Sequence, residues 1–319
     1  MKAVGYLHAL PIDHPEALHD IELPVPEVSG HDLLVEVRAV SVNPVDTKLR
    51  RNPANNSDEY KVLGFDAAGI VKAVGELVTL FRPGDEVWYA GSIPRQGSNA
   101  EFQRVDERIV GRKPARLDFA QAAALPLTGM TAWELLFDRF GLNPDIAQPD
   151  VELLIVGAGG GVGSVMLQLA NLIPQATIIS TASRPDTHTW VRRLGADHVI
   201  DHSRNLFEEL QHAGFSGVTH VASLTHTYQH YPALVNALRP QGKLGLIDDP
   251  SGPIDIIQMK RKSLSLHWEF MFTRPFYATH DMIRQHHILN RLARLVDEGH
   301  IQSTMNAHYG VINAENLRL

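Results

Sequence analysis

The stretch Leu153-Leu154-Ile155-Val156-Gly157-Ala158-Gly159-Gly160-Gly161-Val162-Gly163 constrains this chain more than any other. A compact apolar run that opens directly onto glycines, followed by the helical residues 164–170, reads as strand, tight turn and helix. In the frame A-x-G-x-x-G the small positions are Ala158, Gly160 and Gly163, with Gly161 and Val162 between the last two. Small residues let the backbone approach a pyrophosphate, whose charge sits at the positive end of the following helix. A glycine-rich turn without a ligand is the competing reading, and the sequence downstream weighs against it. Strands at 177–180, 198–200, 218–222 and 243–247 alternate with helices at 187–194, around Leu206 and around Leu234. Strands separated by helices of this length imply parallel pairing with right-handed crossovers, so the expected class is α/β with a doubly wound parallel sheet.

The end of the second strand predicts which dinucleotide binds. An acid about 20 residues past the loop would bind the ribose 2'-hydroxyl of NAD. This chain has Ser180-Thr181-Ala182-Ser183-Arg184 there, with no acid before Asp186. A hydroxyl from Ser183 and a guanidinium from Arg184 suit a 2'-phosphate, because arginine engages phosphate oxygens through a planar fork. NADPH is therefore the expected cofactor, against the alternative that Arg184 is only a solvated arginine at a helix start. Thr225 and residues 246–248, including Leu246 and Asp248, follow strands at their carboxyl ends, where ligands collect in such sheets.

The remainder has a different texture. In Leu33-Leu34-Val35-Glu36-Val37-Arg38-Ala39 apolar and charged residues alternate, and Pro44, Pro53, Pro83-Gly84 and Gly91 punctuate the first hundred residues. An antiparallel barrel or a distorted sheet is expected there, with Asp118 as the N-cap of the helix that follows. Residues 281–298 read as an amphipathic helix stopped by Gly299, and 308–312 as a strand returning to the first domain. A length of 319 residues is about twice that of a usual domain. The expected layout is a β-rich domain over 1–120, a dinucleotide-binding domain over 121–265 inserted into it, and a return over 266–319, with a cleft between the two.

Composition narrows the chemistry. There are 29 Lys+Arg against 36 Asp+Glu, a formal net charge of -7, and no long basic run, so nucleic acid is not an expected partner. The first residues lack a secretion signal and no apolar run approaches the ~20 residues that span a bilayer, so the expectation is a cytoplasmic protein without a membrane partner. Cysteine is absent, which removes thiolate nucleophiles and every sulfur metal ligand. Among 17 histidines, His226 and His230 are spaced i,i+4 and His286-His287 fall on a predicted helix, but no adjacent carboxylate completes a metal site. The expected metal content is none.

Several stretches together resemble the medium-chain dehydrogenase/reductase superfamily, in its zinc-free quinone oxidoreductase-like branch. They are Ser41-Val42-Asn43-Pro44-Val45-Asp46-Thr47, Gly64-Phe65-Asp66-Ala67-Ala68-Gly69, Arg82-Pro83-Gly84-Asp85-Glu86-Val87, Ala124-Leu125-Pro126-Leu127-Thr128-Gly129-Met130-Thr131-Ala132, the glycine loop, and Leu194-Gly195-Ala196-Asp197. The resemblance runs over essentially the whole chain and implies a GroES-like catalytic domain beside the Rossmann domain. In the zinc alcohol dehydrogenases the first cysteine ligand falls at Asn43, the proton-relaying hydroxyl at Val45, the histidine ligand at Phe65 and the last cysteine near Leu127 or Thr128. None of these ligands is preserved here, and the cysteine-rich lobe of the structural zinc is missing as well.

Without a Lewis acid, reduction of an activated alkene or a quinone is easier than reduction of a simple carbonyl, because charge spreads onto an oxygen held by hydrogen-bond donors. The resemblance therefore implies NADPH-dependent reduction of a small-molecule quinone or α,β-unsaturated carbonyl, by a homodimer. It places Asn43, Asp46, Phe65 and Thr128 around the nicotinamide end, with Asn43 either a donor to the substrate oxygen or a turn-forming residue before Pro44 and Thr128 either against the cofactor or a helix-interior hydroxyl, and gives Asp66 a structural hydrogen-bonding role. Trp268, Phe270 and Phe272 join Phe65 as candidate substrate walls, with core packing as the alternative. Competing classes are a non-enzymatic NADPH-binding protein, crystallin-like or RNA-binding, and a zinc alcohol dehydrogenase. The family pattern continues past 313–319 as a helix and a closing strand, so the natural terminus is expected beyond Leu319.

Overall fold

The computed structural model describes residues 1–319 and divides into two compact units, Met1–Met130 with Phe272–Leu319, and Thr131–Met271. The second unit holds a six-stranded sheet in the spatial order His198–Ile200, Thr177–Thr181, Glu152–Val156, Val218–Ser223, Leu238–Leu246 and Ser265–Trp268. Every neighbouring pair is parallel. Numbered along the chain the order is 3-2-1-4-5-6, that of the doubly wound dinucleotide-binding fold. Leu153, Leu154 and Ile155 of the first strand are completely buried, as a central strand covered on both faces requires. Leu154, Val156, Ile179, Val221, Leu234 and Leu244 form the centre of the apolar core between this sheet and its helices. The carboxyl ends of the strands therefore deliver the glycine loop, Ser183 and Thr225 to one edge of the sheet.

The other unit is antiparallel. One sheet orders His19–Glu22, Lys2–Tyr6 and Lys61–Val62; the other orders Phe102–Asp106, Asp32–Val40, Ala67–Val74, Glu86–Tyr89 and Gly111–Arg112. The alternation read at 33–39 lies inside Asp32–Val40, with Leu33 and Val35 fully buried among Val71, Val87 and Val105. Asp118 caps the helix Phe119–Ala123 by accepting from Gln121 N–H at 2.8 Å, as its position before an apolar stretch predicts. No helix of the chain is long and apolar enough to cross a membrane.

Three local expectations are corrected. Residues 308–312 form no strand: Gly310 has φ +90°, and Tyr309 and Val311 are exposed, so their alternation faces solvent with no partner strand. The amphipathic helix begins at Arg284 instead of 281, because the Asp281 carboxylate is spent on Thr279 Oγ1 and the Arg274 guanidinium in a preceding turn. The strand expected from 243 starts at Leu238, carrying Pro240 and a left-handed Gln241 that make its beginning read as a turn.

Candidate functional site

The glycine loop is built from backbone. Gly157 has φ +84° and its N–H reaches Thr181 Oγ1 at 3.2 Å, tying the loop to the end of the neighbouring strand. Gly160 is the N-cap of the helix Gly161–Ala170 and supplies no side-chain cap. The first N–H groups of a helix have no intrahelical partner, so this terminus faces outward as an anion cradle. A Cβ at Gly163 would lie 2.5 Å from Ala158 Cα and 2.6 Å from Ala158 O, and one at Gly159 would lie 2.4 Å from Thr187 Cγ2. These approaches leave no room for a side chain at Gly159 or Gly163, with Ala158 buried beneath and Gly160, Gly161 and Val162 toward the surface. The residues present fit a dinucleotide.

At the adenosine side Ser183 and Arg184 are exposed, and Arg184 is the N-cap of the helix Pro185–Arg193. Ser183 Oγ lies 3.5 Å from His202 Nε2, a residue the sequence reading passed over although it sits just past the strand His198–Ile200. Thr225 Oγ1 is engaged with His226 Nδ1 at 2.8 Å. Leu246 is fully buried, so its backbone is what it can offer a ligand. The Asp248 carboxylate accepts from Thr227 N–H at 2.9 Å and from Thr227 Oγ1, which fixes the start of the helix Thr227–Ala237. Thr181, also passed over, is buried behind the loop and holds it.

In the first unit the candidate reacting groups converge through hydrogen bonds between distant segments. Asn43 precedes the helix Pro44–Arg51, and its backbone N–H donates to Asp46 Oδ2 at 2.8 Å. Its side-chain Nδ2 donates to Asp66 Oδ2 at 2.9 Å, while Asp66 Oδ1 accepts from Leu127 N–H at 2.9 Å. Asp46 Oδ1 accepts from Gly64 N–H at 3.0 Å. Gly64 has φ +114°, and a Cβ there would lie 2.4 Å from Ser98 Oγ, so only glycine permits this path into Phe65-Asp66. Asn43, Asp46, Asp66 and Thr128 are all buried.

Burial sets the electrostatics. Desolvation pushes the Asp46 carboxyl up to about 6, against the pull of its backbone N–H donors. It pushes Asp66 well above the usual carboxylate range; the donors from Leu127 and Asn43 oppose this and the neighbouring Asp46 charge adds to it. The Thr128 hydroxyl donates into the preceding turn, 3.2 Å from Leu125 O, which leaves its oxygen as an acceptor.

Phe65 and Phe272 are buried edge to face with ring centroids 5.4 Å apart. Trp268 and Phe270 are each 49% exposed in place of the core packing that was the alternative reading. No group of three or more histidine, cysteine or acidic side chains is arranged to hold a metal ion. The zinc positions carry an amide at Asn43 and an apolar ring at Phe65, and the Asp66 carboxylate is already bound on both oxygens, so these donors do not fit zinc. His286 is structural: its Nδ1 meets Val110 O at 2.6 Å and its Nε2 meets Asn290 Nδ2 at 3.0 Å.

Residues 29–116 match the alcohol dehydrogenase GroES-like domain, and residues 194–315 match the zinc-binding dehydrogenase domain. A zinc-type alcohol dehydrogenase-like protein of Staphylococcus epidermidis is 38% identical over 305 residues, 95% of this chain and 90% of its own. The NADPH-dependent alkenal/one oxidoreductase of Arabidopsis thaliana chloroplasts is 37% identical over 195 residues, 58% of this chain and 49% of its own. Among solved structures, a Rhizobium etli CFN 42 protein with a provisional zinc-dependent alcohol dehydrogenase name superposes with a TM-score of 0.95 at 54% identity, covering 100% of this chain and 92% of that one. The Escherichia coli quinone oxidoreductase complexed with NADPH shares the fold, with a TM-score of 0.82 at 22% identity over 100% of this chain and 95% of that one.

Proposed function

Because the chain belongs to the medium-chain dehydrogenase/reductase superfamily, on its zinc-free quinone oxidoreductase-like branch, and is an oxidoreductase, we propose that it reduces quinones or α,β-unsaturated carbonyls with NADPH. The observation that carries this reading is the exchange of zinc donors for an anchored amide: Asn43 held by Asp66, with the apolar ring of Phe65 standing at the position of the histidine ligand. The Arabidopsis relative, named for NADPH and for alkenals and alkenones, supports it.

When bound, the dihydronicotinamide supplies a hydride to the electron-poor carbon of the acceptor. The chain's own residues then bind, orient and exclude water. Asn43 Nδ2 carries two N–H groups; one is held by Asp66 and the other donates to the acceptor oxygen where charge accumulates. Phe65 and Phe272 keep water from that oxygen, and Trp268 and Phe270 offer apolar surface on their own unit. Thr128 accepts from the cofactor's amide or ribose through the lone pairs its own donation leaves free. Asp46 fixes the backbone of Asn43, and we read it as a positioning group. The helix terminus at 160–163, with Thr225 and the backbone at Leu246 and Asp248, holds the dinucleotide, and Ser183 with Arg184 receives the 2'-phosphate. The homodimer implied by the family would form along Ser265–Trp268, an edge strand of the sheet.

The test is oxidation of NADPH and NADH against quinones, enones and simple aldehydes. Turnover is expected for the activated acceptors alone, and Asn43→Ala should lower kcat about 100-fold with a smaller change in KM. Tight NADPH binding with no turnover of any acceptor would favour the non-enzymatic binding protein.

A further inference from the structure

Three histidines gather beside the proposed 2'-phosphate site. His202 directs Nε2 to Ser183 Oγ at 3.5 Å. Its ring stands edge to face with that of His230, centroids 6.4 Å apart, and its Nδ1 is buried without a hydrogen-bond partner. His226, in a left-handed conformation with φ 53°, begins the helix that carries His230. The i,i+4 spacing of His226 and His230 thus marks one side of this cluster, with His202 arriving from another strand end. No three of these groups form a metal site.

We propose that His202 is a ligand of the cofactor's 2'-phosphate alongside Ser183 and Arg184, and that His230 and His226 behind it make the preference for NADPH over NADH depend on protonation. The proposal rests on the NADPH reading above. A protonated imidazole donates from both nitrogens and carries charge, whereas a neutral one offers a single donor. A dianionic phosphate seated against His202 therefore favours the protonated ring, and binding takes up a proton by linkage.

The groups around the ring fit this role. From the strand end that carries Ser183 come the Arg184 guanidinium and, two residues on in the first turn of the helix, Asp186. On its own loop Asp201 is bound to Ser203, at 2.9 Å to its N–H and 2.7 Å to Oγ, and lies 3.7 Å from Arg204 Nε. Glu209, from the helix Leu206–His212, lies 3.6 Å from Arg204 Nη1 and accepts from Asp201 N–H. Asp201 and Glu209 are thus both engaged with Arg204, although the Asp201 charge also acts on His202, and the Ser183 side of the ring is where an incoming anion would sit. Burial, with the charges of His202 and His226, holds His230 below the ordinary imidazole range, the mutual repulsion that a bound phosphate would relieve.

The experiment is fluorescence titration of NADPH and of NADH from about pH 5.5 to 8.5, an interval that spans imidazole titration. The proteins are wild type, His202→Gln, His230→Gln and Arg184→Ala. The phosphate's own second ionisation near pH 6 acts in the opposite direction, so the readout is the difference between wild type and His202→Gln. At about pH 6 that substitution should cost about fivefold or more in NADPH affinity and at most twofold in NADH affinity; at the alkaline end the gap should close to about twofold. His230→Gln should give a smaller loss with the same pH dependence. An NADPH preference equal in wild type and His202→Gln at every pH, but lost in Arg184→Ala, would overturn the histidine assignment and leave the cofactor reading intact. A wild type that never prefers NADPH would overturn the cofactor reading itself.

Discussion

The glycine loop and the Asn43 cluster are both small constellations of hydrogen-bonding groups, yet they are built from opposite materials. The loop is a backbone site: its donors are peptide N–H groups and its side chains are chosen for their absence, as the 2.5 Å approach of a Gly163 Cβ to Ala158 Cα shows. The cluster is a side-chain site: Asn43 and Asp46 come from one helix start and Asp66 from a separate segment, and Asp66 reaches a peptide N–H 61 positions further on. A backbone site carries no ionisable group and is fixed by local conformation. A side-chain site carries the cost of buried carboxylates and depends on long-range packing to hold them.

Substitution of the loop is the most severe way to break this contrast. Gly163→Val places branched carbon against backbone that cannot yield, so NADPH affinity should fall at least about 100-fold and stability by about 1–3 kcal/mol. Titration and urea unfolding of the purified variant measure both. Affinity near that of wild type would mean that side chains, and not the peptide cradle, hold the dinucleotide.

The cluster should reveal its buried charge through pH. The Asp46 carboxyl stands at about 6 in the folded chain against 3.8 for the free group. With the folded value raised, the stability it contributes is fully present below about pH 3.8, declines as pH rises, and is lost above about 6. The shift corresponds to roughly 3 kcal/mol. Urea unfolding of wild type and Asp46→Asn between about pH 4 and 7 isolates it, and the wild type should lose more stability over that interval. Parallel curves would show that its N–H donors offset burial completely.

A gentler substitution sharpens the comparison at the boundary between the two kinds of site. Arg184→Ala removes one of the side chains that, with Ser183 and His202, border the backbone cradle, and should weaken NADPH about tenfold while leaving NADH within about twofold. Equal losses for both cofactors would place the guanidinium on the part they share.

The same distinction explains what could be read in advance. The order of strands and helices from 151 to 246 followed from apolar periodicity and glycine, because each signal lies within a few residues of the structure it specifies. Ser183 and Arg184 were reachable by counting from the loop. His202 was not, since its approach to Ser183 depends on how two parallel strands end side by side. The 308–312 segment failed for a related reason: alternation predicts a strand only where a partner edge exists, and none is offered there.

By itself the sequence determined the doubly wound sheet, the peptide cradle at 157–163 and the loss of zinc donors, because glycine spacing and residue identity act locally and need no partner. The tertiary structure alone decided that Asp66 anchors the Asn43 amide, that Asp248 is spent on Thr227 and that His202 faces Ser183. Those pairings join residues far apart in the chain, and buried polar groups take whichever partner the packing brings within reach.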